Sequence, residues 1–189
     1  MAQVWRFPCQ PMPIAAGIAV TAAALTGSGL AKLPQVPSSL LVEGGRLSVR
    51  ANLEASCTTT GSTGVVALYG GLPGTAIGSK VLIAASPALS FATGAAAWPA
   101  FLTYDGTFRA LSASAGVLHG QGTYKSGHVA GGGGLAVALT EFPLPITAAL
   151  RTVTVLTAQN IELDIGITMS ATTGTPSLTV TDLWAELSG

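Results

Sequence analysis

Few side chains in this 189-residue sequence can do chemistry. Two histidines, two cysteines and eight acidic residues make up most of the reactive inventory. His119 lies in "LHGQG" and His128 in "SGHVA", each close to glycine. No G-x-S-x-G nucleophile elbow accompanies them, so a Ser-His-Asp triad has no local support. Both histidines read as exposed or hydrogen-bonded loop residues. There is no C-x-x-C, no H-E-x-x-H and no Asp-rich calcium loop, so neither a metal nor a cofactor is expected. Glu162 and Asp164 share one face of a strand, about 7 Å apart by strand rise. Paired carboxylates can serve as acid and base in a glycosidase. On an edge strand they keep the sheet soluble and block edge pairing, which is the reading adopted. The glycine run at 131–134 lacks the Lys-Ser/Thr and the helix that a phosphate loop needs. Trp5, Trp98 and Trp184 are scattered, as core or interface anchors are, rather than clustered as a stacking platform. No catalytic residue is assigned, and the chain reads as a non-enzyme.

Composition narrows the classes further. Asp, Glu, Lys and Arg make up 8% of the chain, against about 25% in typical soluble domains. Hydrophobic residues reach 49%, the formal net charge is zero, and mean hydropathy is +0.57. Zero net charge leaves a free monomer poorly protected against association. Either the chain enters a membrane or neighbouring chains cover much of its surface. Nucleic acid is disfavoured as a partner, because no basic patch offers phosphate contacts. Cys9 and Cys57 are too few for a disulfide framework. Free thiols are preferred over a single bridge between them.

The elements that must position these residues begin with "IAAGIAVTAAALTG" at 14–27. A membrane helix needs about 20 apolar residues. This run is shorter and is followed by Gly27, Gly29, Pro34 and Pro37, so no membrane span is assigned. A secretion signal fits in length, and "GLA" at 29–31 resembles a cleavage site, but Pro8, Pro11 and Pro13 crowd the run. The reading adopted is an extended N-terminal arm over 1–39. Its proline-rich start favours a polyproline-like path. Trp5, Phe7, Ile14, Ile18, Val20 and Leu25 are its candidate interface residues, buried by the chain's own domain or by a neighbour.

Residues 40–189 read as one all-β domain. "RLSVRANLEAS" (46–56) puts Leu47, Val49, Ala51, Leu53 and Ala55 on one face and polar residues on the other. "NIELDIGITMS" (160–170) repeats the pattern with Ile161, Leu163, Ile165, Ile167 and Met169 inward. "RTVTVLT" (151–157) is rich in β-branched residues. Further strands are expected at 64–70, 79–85, 88–94, 116–125 and 177–187. In the last, the apolar phase slips near Asp182, and a β-bulge there restores the register. In "FLTYDGTFRAL" (101–111), Asp105-Gly106 predicts a type I′ hairpin turn. "GGLPG", "TGTP" and "EFPLP" predict turns or extended connectors, and "AGGGGLA" (130–136) a loop. Convincing amphipathic helices are missing. The expected architecture is an antiparallel β-sandwich of jelly-roll type, with a barrel as the alternative.

Four stretches carry a resemblance: "LLVEGGRLSVRANLEAS", "WPAFLTYDGTFRAL", "HGQG" and the closing "LRTVTVLTAQNIELDIGITMSATTGTPSLTVTDLWAEL". Over residues 40–188 the chain resembles β-sandwich virion proteins of tailed bacteriophages, in particular head-decoration and minor capsid proteins of phages of actinobacteria. The matching motifs are structural, and the arm lies outside them. The resemblance implies a structural protein on the capsid exterior. It would bind the major capsid protein and its own copies, with a trimer favoured, and cement the shell. The alternatives are a tail or head-fibre attachment protein, and a secreted bacterial adhesin or carbohydrate-binding module.

Overall fold

Alternation builds this molecule. Leu47, Val49, Ala51 and Leu53 are all buried along one strand, and Ile161, Leu163, Ile165 and Ile167 along another. Each fully buried aliphatic side chain contributes about 1.5–3 kcal/mol. Two such faces turned towards each other suffice for a core. The computed structural model describes residues 4–8, 35–57, 63–90, 95–126, 140–145, 152–169 and 177–189. Its strands are β1 (Val4–Pro8), β2 (Gln35–Val36), β3 (Arg46–Cys57), β4 (Thr63–Gly71), β5 (Val81–Ala85) and β6 (Leu89–Ser90). They continue with β7 (Ala95–Leu111), β8 (Ala115–Ser126), β9 (Thr140–Leu144), β10 (Thr152–Leu156), β11 (Ile161–Met169) and β12 (Ser177–Ser188). Among the described residues, helical structure is confined to two 3-10 turns, Ser38–Leu40 and Ile77–Ser79.

The strands form two antiparallel sheets, as expected of a β-sandwich. The large sheet runs β1-β12-β3-β7-β8-β10, with β9 also paired to β8. The small sheet runs β2-β11-β4-β5, with β6 also paired to β4. Between them lie Tyr104, Tyr124 and Phe108 from the large sheet and Leu68, Ile83 and Leu163 from the small one, all inaccessible to water. The register of β12 on β3 shifts between Val180 and Asp182, where the phase slip predicts a bulge. The Thr181 hydroxyl donates to the Asn52 carbonyl at 3.1 Å, and Val180, Leu183, Ala185 and Leu187 all stay inward.

The hairpin expected at Asp105-Gly106 does not exist. Both residues lie inside β7, a continuous 17-residue strand. Gly106 pairs with Leu47 on one side and Gly120 on the other, at inward positions. A Cβ at Gly106 would come within 2.9 Å of the Tyr104 ring and 2.8 Å of Leu118. The glycine makes room for a buried aromatic ring instead of reversing the chain. The reversal comes after Leu111, where Ser112 N–H donates to the Ala115 carbonyl at 2.8 Å. "EFPLP" is mostly strand β9, with Pro143 opposite Thr123.

Val4–Pro8 pair with Ser188–Trp184 of β12, and Gln35–Val36 pair with Glu162–Ile161 of β11. Val36 is part of the core. Residues 1–3 and 9–34 of the expected arm, "TGTP" and "AGGGGLA" lie outside the described residues.

Candidate functional site

Glu162 and Asp164 are where the expectation of an edge strand fails. β11 lies inside the small sheet, between β2 and β4. The two carboxylates do point away from the core side, yet they are 8% and 1% exposed. The connection from β4 to β5 folds across them. Its 3-10 turn, Ile77–Ser79, sets Ile77 over Gly166, where a Cβ would approach Ile77 Cδ1 to 2.8 Å. The turn closes with the Lys80 N–H donating to the Ile77 carbonyl at 3.0 Å. Lys80 then points inward over the sheet. Its Nζ donates to Glu162 Oε1 at 2.8 Å and to Asp164 Oδ2 at 2.9 Å. The lysine side chain is 1% exposed.

Glu162 is held from both ends. Its Oε1 also accepts the Gly74 N–H at 3.2 Å, and its Oε2 accepts from Gln35 Nε2 at 3.3 Å. Gly71, opposite Glu162, leaves space for the lysine stem: a Cβ there would come within 2.7 Å of Lys80 Cγ. Tyr69 pairs with Asp164 across the sheet. Burial raises the Asp164 carboxyl above the ordinary aspartate range, against the lowering by its hydrogen bond and ion pair with Lys80. Burial, and then the nearby Asp164 charge, also raise the Tyr69 hydroxyl. One cation thus faces two carboxylates in a compartment closed to solutes.

The large sheet's outer face is different. Asp105 accepts from the Ser48 hydroxyl and from Arg50 Nη2, the latter at 3.1 and 3.3 Å. Arg46 lies 3.6 Å away. Lys125 and Glu141 pair at 2.9 Å, and the Thr103 and Thr123 hydroxyls at 3.0 Å. Phe101 stands among these groups, 36% exposed and opposite Asn52 and Lys125. His119 lies within β8, not in a loop. Its Nδ1 is 2.8 Å from Thr152 Oγ1.

Among the candidate interface residues, Trp5 and Phe7 occupy β1 positions opposite Leu187 and Ala185 of β12. Ile14, Ile18, Val20 and Leu25 lie outside the described residues, as do Cys9 and His128. Lys80 has no signal in its own neighbourhood. It is an ordinary lysine before a strand, and its partners are 82 and 84 positions away. Among the described residues, no group of three or more His, Cys, Asp or Glu side chains could hold a metal ion. No helix among them is long and apolar enough to cross a membrane.

No known protein family matches the chain. No curated protein matches it either. Among solved structures, a chain from the crystal structure of the T13 IBDV viral particle, an icosahedral virus, aligns with 98% of this chain at 13% identity and a TM-score of 0.36. The present chain spans 31% of the length of that one.

Proposed function

We propose that this chain is a structural virion protein of a tailed phage, one that decorates the capsid exterior and cements it. It binds the major capsid protein and its own copies, with a trimer as the favoured assembly. The observation that carries this reading is the strand order. In the large sheet, β1, β12, β3 and β7 are successive neighbours; in the small sheet, β2, β11, β4 and β5 are. Strands from the start and end of the chain therefore interleave in both sheets. We read this interleaving as that of a jelly roll, with β8, β9 and β10 added beyond β7. Jelly rolls serve as capsid domains and also as lectins, so the fold alone does not choose a role.

The charge pattern supports the capsid reading. The buried triad is consumed by the fold, and Arg46 and Arg50 share the carboxylate of Asp105. What the large sheet offers outward is a broad surface of threonines, paired charges and the exposed Phe101, suited to a protein partner. The apolar residues Ile14, Ile18, Val20 and Leu25 supply the arm's contacts with a neighbour. This reading includes no catalytic activity.

Virions that lack this protein should lose resistance to heat and osmotic shock, measured as surviving infectivity. Unchanged resistance overturns the cementing role. In the full chain, replacing Ile14, Ile18, Val20 and Leu25 by serine should leave the sandwich folded but abolish binding to capsids. Undiminished binding removes the arm from the interface.

A further inference from the structure

The Lys80–Glu162–Asp164 cluster holds more than an ion pair requires. We infer that the chain closes an intramolecular isopeptide bond between Lys80 Nζ and Asp164 Cγ, with Glu162 carrying the protons. Neither the capsid role nor its assembly is needed for this inference.

Proximity comes first. Nζ already touches Asp164 Oδ2 at 2.9 Å, so a small displacement brings it onto Cγ, within the near-attack range of about 3–3.5 Å. Held in this way, paired groups reach effective concentrations of roughly 10⁵–10⁸ M. Burial comes second. The side chains of Lys80 and Asp164 are 1% and 2% exposed. An environment that disfavours charge favours the neutral form of the Asp164 acid, the form that the amine attacks. The raised carboxyl of Asp164 agrees with this. Exclusion of water also protects the amide once it is made.

Glu162 is placed for proton transfer. Its Oε1 sits on the same nitrogen at 2.8 Å, within the reach that general acid–base catalysis requires. The Gly74 N–H and the Gln35 amide hold that carboxylate in position. Gly71 and the turn at Ile77–Ser79 fix the lysine stem.

The reaction balances without any co-reactant. The starting pair is –NH3⁺ and –COO⁻. One proton moves from Nζ, through Glu162, to Asp164, leaving a neutral amine and a carboxylic acid. The nitrogen lone pair attacks Cγ and forms the C–N bond. Glu162 takes the surplus proton from nitrogen and delivers it to the departing hydroxyl. The C–O bond breaks, one water leaves, and Glu162 returns to its starting charge. No group is oxidised or reduced. The product ties the start of β5 to β11 across β4.

Intact-mass measurement of the purified full chain under denaturing conditions tests this. The expected mass is that of the sequence less one water. Trypsin should fail to cut after Lys80, and a branched peptide should join Lys80 to Asp164. Full mass in folded protein overturns the inference, and so does a lost water without that branched peptide. Lys80→Arg keeps the cation and should show full mass while folded; a water loss that persists in it also overturns the bond. Asp164→Asn should lose ammonia instead of water if the amide is attacked at the same carbon. Glu162→Gln should slow closure after refolding by about a hundredfold or more. Closure at the unaltered rate removes Glu162 as the proton carrier.

Discussion

On the outward side of β3, Arg46 and Arg50 keep 61% and 33% of their side-chain surface in water. On the outward side of β11, Glu162 and Asp164 keep 10% and 2%. Both strands alternate in the same manner, with an aliphatic inner face and a charged outer one. The difference lies in what each outer face meets. Nothing among the described residues folds over the charged centre of the large sheet, so its charges pair loosely and remain hydrated. The small sheet is crossed by the β4–β5 connection, so its charges must be compensated inside the protein. Alternation therefore tells which way a side chain points, not whether water is there.

The comparison is broken most severely by removing the buried cation. Compared with a chain whose Lys80–Asp164 bond is still open, Lys80→Met leaves two carboxylates without their counter-charge and should cost about 3–5 kcal/mol, measured by urea unfolding. Less severe is Gly71→Ala, which drives a methyl group into the lysine stem. Overpacking of this kind costs about 1–3 kcal/mol and should lower the urea midpoint with the slope unchanged.

The pH response separates the two faces next. In the Glu162→Gln chain, where closure of the bond is slow, Asp164 remains free to titrate. In the unaltered chain its folded carboxyl is raised above the unfolded value, chiefly by burial, which Glu162→Gln leaves in place. The stability it contributes is therefore complete below the unfolded aspartate range, about pH 4, and is lost as pH rises through the folded value. Adding Asp164→Asn should flatten that fall. The smallest effect belongs to the wet face: Arg50→Met, at a partly hydrated pair, should change stability by about 1 kcal/mol or less. A loss there equal to that of Lys80→Met would erase the distinction between the sheets.

Much of the fold is legible residue by residue. The inward sets of β3 and β11 follow from period-two patterning. The bulge at Thr181 follows from a one-residue slip in that pattern, because a strand must recover its register to keep Leu183, Ala185 and Leu187 inside. Other features depend on partners far along the chain. Asp105-Gly106 has the composition of a turn, but Ser48 and Arg50 claim the aspartate and the Tyr104 ring claims the space beside the glycine. Both constraints come from tertiary contacts that override a local preference. The reading of Glu162 and Asp164 missed in the same way. Their spacing places them on one face, while Lys80 and the crossing connection that seal it are invisible locally.

The position of β12 has a consequence for synthesis. This strand lies between β1 and β3, and it is made of Ser177–Ser188. Until those residues leave the ribosome, β3 has an unpaired edge and β1 has no partner in its sheet. An open edge of this length is a template for another chain, and exposed strand edges make partly folded species prone to aggregate. Completion of the large sheet thus waits for β12, which is made long after the β1 and β3 that flank it.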